Sequence, residues 1–75
     1  MALSETERYV LQQLVKMGGM GNVVEPLGYT IEDFDKAFEF ANNLQNKDLV
    51  KLIYSNFNKN LIVVELTLPG FEAGK

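Results

Sequence analysis

The chain has 75 residues, a net charge of −3, and neither cysteine nor histidine. A chain of this length can close around only one hydrophobic core, so we predict a single domain over residues 1–75. With 47% apolar and 23% charged residues, its composition differs from that of disordered segments, and we expect it to fold. The missing residue types exclude disulfides, zinc sites with thiolate or imidazole ligands, and every catalytic triad that needs cysteine or histidine.

The first predicted helix covers residues 5–17. Ser4 and Glu7 have the spacing of a capping box, in which each residue hydrogen-bonds the backbone amide of the other. Apolar residues then recur at three- and four-residue spacings until Gly18 and Gly19, which are typical of a helix end. The N-terminus has no basic start and no long apolar run, so we expect no signal peptide, no membrane partner and a cytoplasmic location.

A second, longer helix is predicted over residues 31–44. Between the helices, residues 22–28 contain Pro26 and predict only one or two loose turns that add apolar side chains to the core. Thr30 and Asp33 form a second capping signature. The expected core stripe of the helix, with Phe40 to its side, consists of Ile31, Phe34, Ala37, Phe38, Ala41 and Leu44.

The last third of the chain predicts a β-hairpin. Two apolar segments, residues 49–57 and 61–68, flank a polar loop at residues 58–60. If this three-residue loop pairs Phe57 with Leu61, the even-numbered residues of both strands face the core and Tyr54 lies opposite Val64. Pro69 and Gly70 predict the end of the second strand, and we expect residues 69–75 to form a flexible tail.

The odd-numbered face of this hairpin is more apolar than a face in contact with water alone. Such a patch often marks a contact with a partner or with a second copy of the chain. The apolar residues that form it near the loop are Ile53, Phe57, Leu61 and Val63.

Charge is divided unevenly along the chain. Residues 1–46 carry seven carboxylates and three cations, whereas residues 47–60 carry three lysines and one aspartate. The hairpin is therefore the only cationic region that the sequence predicts.

The order of these elements resembles the winged-helix branch of helix-turn-helix proteins, in a MarR-like pattern. The matching positions are the polar break and strand at residues 44–50, the wing tip at residues 58–60 and the wing exit at residues 66–70. The resemblance implies a small α+β winged-helix-like domain with the hairpin as its wing, and a role in transcriptional or other DNA-associated regulation.

One feature of the chain opposes ordinary reading of duplex DNA. In winged-helix proteins that read DNA, the outward face of the third helix enters the major groove. Here that face holds three carboxylates and one lysine, and phosphates would repel it. The residues expected there are Glu32, Asp35, Lys36, Glu39 and Asn43.

Two functions are consistent with the pattern. In the first, the hairpin binds nucleic acid, with Lys47, Lys51 and Lys59 on phosphates and with Asn58 and Asn60 donating hydrogen bonds.

In the second, the domain binds a protein partner or forms a homodimer, without nucleic acid. The apolar hairpin patch would be one contact, and the acidic residues Glu32, Asp35 and Glu39 would attract a basic surface. We expect no enzymatic activity, no metal, no cofactor and no small-molecule substrate, because the paired carboxylates lie on an exposed helix face and not in a pocket.

Overall fold

The first helix begins at the residue that the sequence predicts. A computed structural model describes residues 3–75 of the chain, in which α1 spans Glu5–Lys16. The capping box is confirmed: Ser4 Oγ accepts a hydrogen bond from the Glu7 amide at 3.1 Å, and Glu7 Oε1 accepts one from the Ser4 amide at 2.9 Å.

Two short elements occupy the segment for which we predicted loose turns. Strand β1 spans Met20–Asn22 and helix α2 spans Val24–Leu27. Val23 and Val24 are buried in the core, as expected. The sequence does not predict β1, because three residues are too few to show a strand periodicity.

The long helix begins three residues later than predicted. Residues Ile31–Asp33 form a 3₁₀ turn, and α3 spans Phe34–Asn46. The Thr30 side chain makes no capping hydrogen bond, and the tighter turn leaves Ile31 40% exposed, so its prediction as a core residue was wrong. Phe34, Ala37, Ala41 and Leu44 of the stripe are buried as predicted, and Phe38 is half-buried against the core.

The hairpin exists, but its register differs from the prediction. Strand β2 spans Val50–Asn56 and β3 spans Leu61–Leu66. Asn56 pairs with Leu61, and a bulge between Leu52 and Tyr54 shifts the remaining pairs by one residue. Tyr54 therefore lies opposite Val63 and not opposite Val64.

The turn that joins these strands explains the new register. Residues Phe57–Lys59 form a 3₁₀ turn, and Asn60 follows in the left-handed conformation with φ of 52°. The Asn56 side chain accepts a hydrogen bond from the Lys59 amide at 3.2 Å, which closes the turn one residue earlier than a loop at residues 58–60 would. Phe57 thereby leaves the strand.

The three strands form an antiparallel sheet in the order β1-β3-β2. One face of the central strand carries Ile62, Val64 and Leu66, which are buried in one cluster with Leu11 and Leu14 of α1. The coarse fold expected from the sequence, a small α+β domain, is confirmed.

A fourth helix, α4, spans Leu68–Ala73, where we predicted a strand end and a flexible tail. Thr67 Oγ1 accepts a hydrogen bond from the Gly70 amide at 3.1 Å, and Pro69 lies in the first turn, where a missing amide hydrogen is tolerated. Phe71 packs against the core beside Gly19. The prediction of a flexible tail was wrong because residue 67 lies within the predicted strand, so the helix-capping role of Thr67 was not recognised.

Gly70 allows α4 to dock on the start of β2. A Cβ atom at this position would collide with the Leu49 carbonyl oxygen. We expect Gly70→Ala to destabilise the domain by about 1–3 kcal/mol, because the backbone of α4 must move away from Leu49. Urea unfolding followed by circular dichroism measures the change.

The matched control is Glu72→Ala on the exposed side of the same helix. Glu72 pairs only with Lys75, and both side chains are more than two-thirds exposed at 73% and 69%. Its removal should leave the unfolding midpoint nearly unchanged. Equal midpoints for Gly70→Ala and the wild type would refute the docking of α4 on Leu49.

Candidate recognition surfaces

The sheet has one face that no helix covers among the described residues. Residues that lie opposite each other in adjacent strands share a face, so Tyr54 lies beside Val63, and Lys51 lies beside Glu65. We call this surface the outward sheet face. Its members are Met20, Asn22, Lys51, Tyr54, Asn56, Leu61, Val63 and Glu65, together with the bulge residue Ile53, which has no partner in β3.

Three large apolar side chains of the outward sheet face are close to half exposed. Met20 is 49% exposed, Ile53 47% and Tyr54 48%. The bulge has moved Tyr54 here from the core-facing position that parity predicted. Its hydroxyl accepts a hydrogen bond from the Asn56 side chain at 2.9 Å, which orients the ring along the strand.

Phe57 does not belong to this face, although we predicted it there. Its ring packs edge-on against Phe34, with 5.2 Å between ring centroids and an interplanar angle of 87°. Phe57 thus contacts the first residue of α3 from the hairpin tip, and it is 56% exposed. Of the other three predicted apolar residues, Leu61 and Val63 lie on the outward sheet face by their pairing, and Ile53 is the exposed bulge residue between Leu52 and Tyr54.

The five residues predicted to bind nucleic acid do not form one cluster. Lys47, at the end of α3, donates to Glu7 Oε2 at 2.7 Å, and Lys51 lies opposite Glu65 near the start of β2. At the hairpin tip, which we define as residues 57–60, Asn58 and Lys59 are exposed and Asn60 is half-buried.

Asn60, the fifth of these residues, has an internal role. Its side-chain amide donates to the Tyr29 carbonyl at 3.2 Å, and its own carbonyl accepts from the Asn22 side chain at 3.3 Å. Asn22 Oδ1 in turn accepts from the amides of Val24 and Ile62. This network joins the hairpin tip to β1 and α2. Asn60 also has a φ of 52°, and asparagine tolerates this left-handed backbone.

The ion pair between Glu7 and Lys47 is the most buried one in the described residues. The side chain of Glu7 is 12% exposed and that of Lys47 30%. Burial by itself raises the pKa of the Glu7 carboxyl, but the hydrogen bonds from Lys47 and Ser4, together with the charge of Lys47, lower this pKa below its ordinary value. Lys47 therefore fastens the end of α3 to the start of α1.

The predicted acidic residues Glu32, Asp35 and Glu39 are exposed, as expected, but Glu32 lies in the 3₁₀ turn before α3 and not on the helix itself. Beside them, an open groove of about 210 Å³ lies between the loop after α2 and α3. Its lining residues are Tyr29, Lys36, Glu39, Phe40 and Asn43. Tyr29 was not predicted as a site residue, because hydrophobic periodicity holds no signal for it. The position of Phe40 beside the core stripe was a signal for such a cavity.

Comparisons with protein-family models, with curated proteins and with solved structures found no match. Within residues 3–75, every helix is too short or too polar to cross a bilayer.

The ion pair between Glu7 and Lys47 makes stability depend on pH. Because the pKa of Glu7 is lower in the folded state than in the unfolded state, its contribution is complete above the unfolded value of about 4.3 and is lost as the pH falls through the folded value. We expect Glu7→Gln to cost about 1–2 kcal/mol near neutral pH, and the difference from the wild type to shrink below about pH 4.

Unfolding by urea at a series of pH values measures this difference. The control is Glu5→Gln in the same helical turn, where the carboxylate is exposed and lacks a lysine partner among the described residues. A difference between Glu7→Gln and the wild type that stays constant down to acid pH would contradict the assigned ion pair.

Proposed function

We propose that this chain is a winged-helix-like protein-recognition domain that forms a homodimer through its outward sheet face. The observation that carries the proposal is the uncovered face of the sheet, on which Met20, Ile53 and Tyr54 are each close to half exposed. Burying such side chains in a contact would stabilise it by about 25 cal/mol for each Å² of apolar surface removed from water.

The charges on this face favour a second copy of the chain as the partner. Lys51 and Glu65 lie opposite each other, so the face carries one charge of each sign beside its apolar residues. In a two-fold symmetric contact the same patch meets itself, and Lys51 of one copy can then approach Glu65 of the other. A face with this charge pattern is self-complementary.

The winged-helix-like architecture is supported by the order of the elements. Three helices, α1 to α3, precede the hairpin of β2 and β3. The exposed carboxylates of α3 oppose its insertion into a groove lined by phosphates. The same architecture is therefore proposed here to serve protein recognition rather than the reading of duplex DNA.

Sedimentation over a concentration series tests the homodimer. We expect the weight-average mass to rise toward that of two chains, and the double substitution Ile53→Ser with Tyr54→Ser to keep the protein monomeric, because it removes the exposed apolar centre of the face. The control is Leu68→Ser, since Leu68 is 82% exposed but lies in α4 and outside the sheet.

A charge exchange distinguishes self-complementarity from general stickiness. Lys51→Glu alone should weaken association by about tenfold, equivalent to ~1.4 kcal/mol. Adding Glu65→Lys should restore much of it, because the opposite charges then face each other again. A wild type that remains monomeric at every concentration, or an equal loss for Leu68→Ser, would refute the homodimer.

A second candidate function is contact with nucleic acid through the hairpin tip. Asn58 and Lys59 are exposed there, and the winged-helix resemblance favours this use of the hairpin. The electrostatic footprint of the tip is small, because Lys59 is the one charged residue of residues 57–60. Lys47 is held by Glu7, and the exposed Lys51 lies opposite Glu65 in the sheet.

Titration with duplex and single-stranded DNA of mixed sequence tests this second candidate. Binding at the tip should shift the backbone amide signals of Asn58 and Lys59 at low salt, and the shifts should shrink at moderate salt and in Lys59→Ala. Lys75→Ala, which removes a different exposed lysine, is the control. Amide signals at the tip that stay unmoved at low salt would rule out nucleic-acid binding by the hairpin.

A further inference from the structure

Hydrogen bonds hold the loop wall of the groove beside α3 in place. One wall is Tyr29, whose backbone is held from both directions: its amide donates to the Val24 carbonyl at 3.2 Å, and its carbonyl accepts from the Asn60 side chain at 3.2 Å. The other wall is α3, where positions 36, 39, 40 and 43 fall on one side of the helix. The cavity between these walls therefore exists before any ligand arrives.

The lining combines two aromatic rings with one carboxylate, one amide and one lysine, Lys36. Tyr29 and Phe40 are half-buried, so each keeps part of its ring surface open. Glu39 and Asn43, one helical turn apart, are exposed at the rim. A flat cation fits this combination, because aromatic faces attract positive charge and a carboxylate accepts two parallel hydrogen bonds from a guanidinium group.

The surrounding charge favours the same ligand. Residues 31–46 carry four carboxylates against the single lysine Lys36. Lys36 is the cation among the described lining residues, and its side chain is 77% exposed with its ammonium 3.9 Å from Asp33. A side chain so exposed can swing away from the groove, and the remaining field attracts cations and repels anions.

We propose that this groove binds an arginine side chain of a basic protein segment. The guanidinium group stacks between Tyr29 and Phe40, and it donates hydrogen bonds to the Glu39 carboxylate. The size of the cavity, about 210 Å³, suits a single side chain and not a folded surface. Arginine fits better than lysine, because its planar group matches both the aromatic walls and the carboxylate.

This site is separate from the outward sheet face. Tyr29 and α3 lie outside the three strands, so binding of arginine requires no dimer. The doubly substituted monomer, Ile53→Ser with Tyr54→Ser, should bind the arginine ligand as the wild type does. Failure of the homodimer and failure of this site are therefore distinguishable.

The probe is the capped tripeptide acetyl-Gly-Arg-Gly-amide, titrated into labelled protein while backbone amide and aromatic side-chain signals are followed. We expect saturable shifts at Tyr29, Phe40 and Asn43 at millimolar peptide. The same peptide with citrulline, which has the shape of arginine without its charge, should bind at least about tenfold more weakly. The lysine peptide should fall between them.

Two matched substitutions test the role of the carboxylate. Glu39→Gln should weaken binding of the arginine peptide by about tenfold, whereas Asp35→Asn should change it little, because Asp35 is exposed on the same helix but outside the groove. Both positions are exposed, so neither change should disturb folding. Phe40→Leu should also weaken the arginine peptide more than the lysine peptide, since the planar group loses its stacking partner.

Several outcomes would overturn the proposal. One is the absence of saturable shifts at Tyr29, Phe40 and Asn43. Another is equal binding of the arginine and citrulline peptides. A third is an equal loss in Glu39→Gln and Asp35→Asn, because this result would mean that the acidic helix attracts cations without a specific groove.

Discussion

The central strand β3 is the constraint on which the rest of the structure depends. It pairs with β1 on one side and with β2 on the other, and its inward side chains Ile62, Val64 and Leu66 are buried with α1 and α3. The two neighbouring strands are positioned by hydrogen bonds to it, and the helices by contact with its apolar face. The Asn22 side chain, which accepts from the Ile62 amide at 2.9 Å, fastens the loop before α2 to the same strand.

A single irregularity in β2 determines which side chains lie on the outward sheet face. The pleat of a strand sends alternate side chains to opposite faces, so one extra residue transfers all later side chains to the other face. The bulge between Leu52 and Tyr54 does this, and Tyr54 joins Ile53 and Val63 on the outward sheet face. The turn at the hairpin tip ends β2 before Phe57, and the Phe57 ring packs against Phe34 instead. The apolar face is therefore larger at its centre and smaller at its tip than strict alternation implies.

The charged residues divide into those that hold the fold together and those that remain available for a partner. Lys47 and Glu7 join the ends of two helices, and they do so at the most buried ion pair in residues 3–75. Asp35, Glu39 and Lys59 are exposed, and Lys51 balances Glu65 on the outward sheet face. Of the three lysines in residues 47–60, Lys47 is held in an ion pair, whereas Lys51 and Lys59 are exposed.

The sequence by itself determined the features that depend on near neighbours in the chain. The capping box of Ser4 and Glu7, the core stripe from Phe34 to Leu44, the hairpin and the acidic face of α3 were all predicted, because each rests on local hydrogen bonds or on helical and strand periodicity. Only the tertiary structure decided the pairing of β1 with β3, the partner of Lys47 and the groove between Tyr29 and Phe40. These features join residues distant in the chain, and the register of β2 depends on a bulge that no alternation of polar and apolar residues records. Helix α4 depends on both kinds of information. Thr67, Pro69 and Gly70 form a local signal for the start of a helix, whereas the position of the helix depends on its contact with Leu49, which is distant in the chain.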